Sequence, residues 1–168
     1  MLIRIAGIEP ESIVDGPGYR FAVFVQGCPH GCPGCHNPKT HDFEGGEAVD
    51  TDDIIAQLGK NPLVRGLTLS GGEPMLKAQA LLEVAKAAKA RGMNVWCYTG
   101  YTYEQLMETG DPDQTALLDQ IDVLVDGPYI AARRSLDLAF RGSGNQRLID
   151  MNKTRETGAL AFYDPEAW

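Results

Sequence analysis

Basic residues are scarce in this sequence. Lysine and arginine number 15 against 23 aspartates and glutamates, a net charge of −8 (15 − 23). A nucleic-acid scaffold needs a basic face for phosphates, and the balance argues against that class. Long apolar runs are missing too: nothing approaches the roughly 20 residues of a membrane span. The opening Met1-Leu2-Ile3-Arg4-Ile5 lacks the basic segment and apolar stretch of a secretory leader. The expectation is therefore a cytoplasmic protein, with neither nucleic acid nor membrane as partner. No repeat, low-complexity tract or linker interrupts the 168 residues. They are read as one domain, 1–168, in which 151–168 forms a tail or a flap. Cysteine is sparse, with four in the chain. Three fall between positions 28 and 35 and the fourth, Cys97, stands far off. In a reducing compartment that clustering reads as metal binding, not disulfides.

The hydropathy pattern alternates strand and helix. Short apolar runs at 2–8, 20–26, 66–70, 93–98 and 122–125 predict strands, and 147–151 predicts one more. Helices are predicted over 51–58, 76–91, 103–108 and 114–120. The clearest is 76–91, where Leu81, Val84, Ala85 and Ala88 share a face and Gly92 stops the helix. Alternation of this kind implies parallel βαβ units. A closed barrel of eight strands takes about 250 residues, so this α/β chain is expected to form a partial, open parallel β/α barrel of about five or six strands. An open barrel admits a large substrate, even another protein.

In α/β folds ligands bind at the carboxyl ends of the parallel strands. The unusual segments fall at those places. Cys28 to Cys35 follows the second strand, Gly71-Gly72-Glu73-Pro74 the third, Thr99-Gly100-Tyr101 the fourth, and Asp126-Gly127-Pro128 the fifth. Four segments are thus expected to converge on one rim.

The cysteines read Cys28-x3-Cys32-x2-Cys35, among Gly27, Pro29, Gly31, Pro33 and Gly34. Such a loop is tight and irregular, and it brings amide N–H groups near cluster sulfurs. Iron–sulfur clusters are usually held by four thiolates, so three leave one iron open to a substrate. The triplet alone also suits a zinc site completed by His30, His36 or His41. Cys97, in a predicted strand, is expected to be a small core residue. Glu73 offers an acceptor to a cationic amino group, beside glycines that allow close approach. Taken alone, it is equally an ordinary tight turn. Asp15-Gly16-Pro17-Gly18-Tyr19-Arg20 is turn chemistry just ahead of the cysteine strand. Arg141-Gly142-Ser143-Gly144-Asn145-Gln146-Arg147 suits an anion, a partner loop or a solvated hairpin turn. Isolated loop histidines are expected in solvent, except His36, which directly follows Cys35.

These residues resemble a known family. The triplet with Gly71-Gly72-Glu73-Pro74 resembles the radical S-adenosylmethionine superfamily, and Asp15 to Arg20 resembles its glycyl-radical-activating branch. Tyr98-Thr99-Gly100-Tyr101, Asp126-Gly127-Pro128-Tyr129 and Arg141 to Arg147 resemble the activases of anaerobic ribonucleoside-triphosphate reductase. The likeness covers nearly the whole chain. It implies an enzyme with a [4Fe-4S] cluster and S-adenosyl-L-methionine as cofactors. It implies reductive cleavage to a 5′-deoxyadenosyl radical, which takes hydrogen from a glycine of the reductase. Flavodoxin or ferredoxin is the implied electron donor. Transferred by position, Cys28, Cys32 and Cys35 ligate the cluster, and Gly34 and His36 lie beside the adenosyl group. Gly71, Gly72 and Glu73 meet the methionyl end, and Thr99 and Asp126 complete the rim. The alternatives are an activase of another glycyl radical enzyme, such as the formate-lyase type, and a non-catalytic zinc or iron–sulfur module.

Overall fold

The computed structural model describes residues 1–35, 38–135 and 137–165. The strands are β1 (Leu2–Ser12), β2 (Arg20–Val25), β3 (Glu47–Asp50), β4 (Gly66–Gly71), β5 (Asn94–Tyr98), β6 (Val123–Asp126) and β7 (Arg147–Asp150). The helices are α1 (Thr51–Gln57), α2 (Ala78–Ala90), α3 (Tyr103–Thr109), α4 (Pro112–Leu118) and α5 (Met151–Thr157). All seven strands join one sheet in the order β3-β1-β2-β4-β5-β6-β7. The centre, β2-β4-β5-β6, is parallel, and β1, β3 and β7 are antiparallel at the flanks. The sheet does not close, in line with the open α/β architecture that the alternation predicts.

The strand count exceeds the expected five or six by one, and the addition is β3. Its Glu-Ala-Val-Asp sequence is short, with Glu47 and Ala48 exposed and Val49 and Asp50 half-buried, and it pairs with β1 from Leu2↔Asp50 to Ile5↔Glu47. A charged edge strand has no apolar alternation to betray it, and short charged edges discourage pairing with other chains. The helix α5 was also invisible to periodicity, because only Met151 and Thr154 of its seven residues are buried. Asp150 caps it by accepting from Lys153 N–H at 3.0 Å. Beyond it the chain runs back along β7, with Asp150 N–H donating to Ala161 O and Tyr163 N–H to Leu148 O. Residues 166–168, the end of the expected tail or flap, lie outside the described residues.

Helix starts shift for local reasons. The run from 76 begins as a 3-10 turn, Pro74–Lys77, because Glu73 caps it by accepting from Met75 N–H. The α-helix follows at Ala78. Helix α4 starts two residues earlier than periodicity suggests, since Asp111 caps Gln114 N–H and Pro112 fills the first helical position.

Strand alternation gives the sheet two unlike faces. Val23, Leu67, Leu69, Val95, Cys97, Leu124 and Ile149 point to the helices, where Leu81, Val84 and Leu117 complete a continuous apolar core. Full burial of each such side chain contributes about 1.5–3 kcal/mol. The other face carries Arg20, Thr68, Trp96 and Tyr98, with a smaller apolar cluster of Trp96, Val123, Val125 and Leu148. Arg20 is wholly buried there, with no carboxylate partner among the described residues. It donates to Thr68 Oγ1 at 2.7 Å, Leu67 O at 2.9 Å and Pro17 O at 3.2 Å, and lies 5.5 Å from the Trp96 ring. Burial pulls its pKa down to about 10. Thr68 passes the contact on, donating to Asp15 O at 2.8 Å, which pins the Asp15-Gly16-Pro17-Gly18 turn over this face.

Candidate active site

The four segments meet at the carboxyl ends of β2, β4, β5 and β6. Cys28, Cys32 and Cys35, each half-buried, share a small pocket of about 110 Å³ with Gly71, Gly72, Thr99, Gly100 and Gly127. Five of its wall residues, Cys35, Ser70, Tyr98, Tyr129 and Gln146, also wall a larger cavity of about 720 Å³. That volume lies within the range of small-molecule and cofactor sites. Gly34 stands exposed at the turn between Cys32 and Cys35. His36 lies outside the described residues.

The cysteine loop is tied to the rim through backbone. Gly72 N–H donates to Val25 O at 2.9 Å and Glu73 N–H to Gly27 O at 2.8 Å, so the Gly-Gly-Glu turn is stitched to the segment entering Cys28. A Cβ on Gly72 would fall 2.3 Å from Gly27 O. This position needs glycine for strand packing, whatever ligand it also meets.

Glu73 is fully buried and fully used. Its Oε1 accepts from His30 Nε2 at 2.6 Å and Gly100 N–H at 2.7 Å. Its Oε2 accepts from Thr99 Oγ1 at 2.8 Å and Met75 N–H at 3.0 Å. All four acceptor positions of the carboxylate are thus occupied. The histidine corrects a sequence expectation. His30 is not a solvated loop residue: it reaches across the pocket onto Glu73 and packs edge-on against Tyr101 at 4.6 Å. Gly100 makes room for it, since a Cβ there would come 2.5 Å from the imidazole. Only a contact between residues 43 apart would have revealed this pair.

The three thiols face one pocket, where their spacing suits either ligand set named from the sequence. A cubane takes its thiolates on separate corners. Cys97, the remaining cysteine, is sealed in the helix-side core with no exposure, so it is a core residue as expected. Burial pushes the Cys28 and Cys97 thiols up, and the Glu73 charge adds to both; at Cys28 a hydrogen bond from the His30 backbone opposes the rise. Coordination by a metal reverses such a preference at a ligand thiol.

A 4Fe-4S single cluster domain matches residues 14–149. The anaerobic ribonucleoside-triphosphate reductase-activating protein of Vibrio cholerae is 41% identical over 145 residues, 82% of this chain and 91% of that protein. Its namesake in Haemophilus influenzae is 38% identical, again over 82% of this chain and 91% of that protein. The chain belongs to this family of activating proteins. A third member, from Enterobacteria phage T4, is 34% identical over 84% of this chain and 90% of its own length. Among solved structures, QueE from Escherichia coli aligns with 61% of this chain and 54% of its own at a TM-score of 0.46 and 20% identity.

Asp126 closes the rim of this activating-protein fold from the side. Its carboxylate, almost wholly buried, accepts from Arg147 Nε at 3.0 Å, from Arg147 Nη2, and from Tyr103 N–H at 2.7 Å. It does not line the thiol pocket. Arg147 also donates twice to Glu104, at 2.9 and 2.6 Å. The two carboxylates push the guanidinium's pKa up, and Arg147 holds that of Glu104 below the usual range. The segment 141–147 is no solvated hairpin turn. Gln146 Oε1 accepts from Gly142 and Ser143 N–H, its Nε2 donates to Gly127 O, and Asn145 donates to Pro128 O. The segment thereby fixes Asp126-Gly127-Pro128, a link that motif spacing alone did not disclose.

Proposed function

We propose that this protein is a radical S-adenosylmethionine activase that installs a glycyl radical in anaerobic ribonucleoside-triphosphate reductase. One observation carries the reading: Cys28, Cys32 and Cys35 share a pocket on the strand-end rim while Cys97 is sealed behind the sheet. Cys28, Cys32 and Cys35 would hold a [4Fe-4S] cluster, and three thiolates for four irons would leave one iron open to S-adenosylmethionine. Such a cluster, once reduced, would supply the single electron for reductive cleavage of S-adenosylmethionine and so the hydrogen-abstracting chemistry that a glycyl radical requires.

The chain's own residues bind, orient and shield. Gly71 and Gly72 form the wall for the methionyl end, and Gly34 flanks the adenosyl group. Glu73 receives the ammonium. Its acceptor positions are full, so that ammonium replaces His30, the one partner that the cysteine loop contributes among the described residues. Thr99 keeps Glu73 oriented through its 2.8 Å hydrogen bond. Asp126 acts through position, holding the start of α3 and the loop that carries Thr99 and Gly100. The larger cavity receives the remaining cofactor and the partner's glycine. Flavodoxin or ferredoxin is the donor, and the cytoplasm the compartment; among the described residues no helix is long and apolar enough to cross a membrane.

The test mixes the reconstituted, reduced protein with S-adenosylmethionine and anaerobic reductase under strict exclusion of oxygen. A glycyl radical signal by electron paramagnetic resonance is expected on the reductase. Cleavage of the cofactor without that signal would assign a different glycyl radical enzyme as partner. Tightly held zinc and no iron would end the proposal.

A further inference from the structure

The turn at 13–19 joins β1 to β2 and carries no buried side chain. Ile13, Val14 and Tyr19 are 67%, 75% and 51% exposed, and Asp15 and Pro17 are half-buried. Two hydrogen bonds hold its middle to the sheet. Asp15 O accepts from Thr68 Oγ1, and Pro17 O accepts from Arg20 Nη1. Both lead to one guanidinium, because Thr68 Oγ1 in turn accepts from Arg20 Nε.

A buried cation with no carboxylate partner among the described residues loses solvation, and an apolar side chain of similar volume would avoid that loss. The surroundings are nonetheless shaped to this one. A Cβ on Gly16 would fall 2.7 Å from Arg20 Cδ, and one on Gly66 would fall 2.2 Å from Arg20 Nη1. A charge kept in so close-fitting a slot is explained by what it holds.

What it holds is a wall of the site. Val14 and Asp15 line the 720 Å³ cavity but not the small pocket that the thiols share. Arg20 and Thr68 lie one layer beneath. Ser70, two residues beyond Thr68 on the same face of β4, lines the cavity, as does Tyr98, two beyond Trp96 on β5. The methionyl end of the cofactor belongs beside the thiols, so the turn serves the opposite end, where the partner's glycine must enter. Exposed Ile13 and Val14 put apolar surface at that mouth, which suits a protein contact.

We propose that Arg20 is a positioning residue: through Pro17 and Thr68 it sets the Val14–Asp15 wall against which the glycine-bearing segment of the reductase seats. Arg20 touches neither the cofactor nor the glycine. This rests on the activase reading above. The test compares reconstituted wild type with Arg20→Met, Thr68→Val and Thr68→Ser. Hydrogen exchange followed by mass spectrometry reads the turn, and titration with intact anaerobic reductase reads the partner. In Arg20→Met and Thr68→Val, residues 13–19 are expected to exchange at least about tenfold faster than in wild type. Both variants should need at least about fivefold more reductase for half-maximal glycyl radical. Radical yield at saturation and 5′-deoxyadenosine formed without reductase should match wild type. Thr68→Ser keeps the bridging hydroxyl and should restore both wild-type values. A mere loss of folded protein cannot split reductase demand from cofactor cleavage in this way. Should Arg20→Met not fold, the two Thr68 variants decide. Wild-type exchange in Thr68→Val overturns the proposal, and so does a loosened turn with wild-type demand for reductase. So does a loss of deoxyadenosine, measured without reductase, that matches the loss of radical, since the turn then serves the cofactor. A wild type that cleaves no S-adenosylmethionine, or that leaves no radical on the reductase, refutes the activase reading instead.

Discussion

Asp122 and Asp126 bracket a single strand, and their surroundings are chemically alike. Asp122, just before β6, accepts from Lys89 Nζ at 2.8 and 2.9 Å, Asn152 Nδ2 at 2.9 Å and Val95 N–H at 2.7 Å. Asp126, ending β6, accepts from Arg147 and Tyr103 N–H. Each carboxylate joins a cation and a backbone amide from different elements. What differs is the end of the sheet. Asp122 ties α2, β5 and α5 together where no site residue lies. Asp126 ties β7 to the start of α3, four residues beyond the Thr99 that holds Glu73. In β/α folds the carboxyl ends of strands bear chemistry and the amino ends bear stability. On the proposed activase reading, the same device serves function at one end of β6 and folding at the other.

The largest effect belongs to the carboxyl end. Cys32→Ala is expected to abolish S-adenosylmethionine cleavage while leaving the melting temperature nearly unchanged. Chromatographic assay for 5′-deoxyadenosine checks this, and retained cleavage would remove Cys32 from the ligand set. Asp126→Ala comes next. Removing one partner of a buried ion pair costs about 3–5 kcal/mol. Arg147 keeps Glu104, so the loss should sit near the lower figure. Cofactor cleavage should fall at least about tenfold at a temperature where the variant is still folded, because the loop carrying Thr99 and Gly100 loses its anchor. Equal activity per folded molecule would make Asp126 a plain stability residue and erase the contrast.

Asp122→Asn is the matched change at the amino end. Burial works against the Asp122 carboxylate, but hydrogen bonds from Lys89, Asn152 and Val95 N–H outweigh it and hold its pKa below the usual range. A depressed folded-state pKa contributes stability above the unfolded value, and that stability is lost as pH falls through the folded one. At neutral pH the variant should be about 1–2 kcal/mol less stable than wild type, with unaltered cleavage per folded molecule. The gap should close on acidification, as the wild-type carboxylate itself becomes protonated. Thermal melts from pH 7 down to about pH 3 test this, and a gap that stays constant would exclude the carboxylate's charge as its source.

The contrast also marks what could be read without coordinates. Apolar runs disclosed the central strands, and glycine-rich segments after them disclosed the rim, because both signals are local. β3 and α5 were silent because they bury little: β3 is a short charged edge with no fully buried residue, and α5 hides only Met151 and Thr154. The rim's internal wiring was silent for another reason. His30 on Glu73 and Arg147 on Asp126 join residues 43 and 21 apart, and single side chains at those separations leave no period to detect. Sequence thus located the rim residues and left undetermined which face the cavity and which hold others in place.

The smallest expected effect separates two ways in which Asp126 can act. Tyr103 N–H is one of its ligands, so its loss disturbs both the α3 start and the rim loop before it. Thr102 caps the same helix by itself, accepting from Gln105 N–H at 3.2 Å while Gln105 Oε1 accepts from Thr102 N–H at 2.8 Å. Thr102→Ala removes that cap and leaves Arg147 on Asp126. It should cost about 1 kcal/mol, or roughly 2–4 °C in melting temperature, with cleavage reduced less than about twofold. If it instead reproduced the Asp126→Ala loss of cleavage, fraying of α3 would account for the whole effect, and the Arg147 ion pair would have no share in holding Glu73.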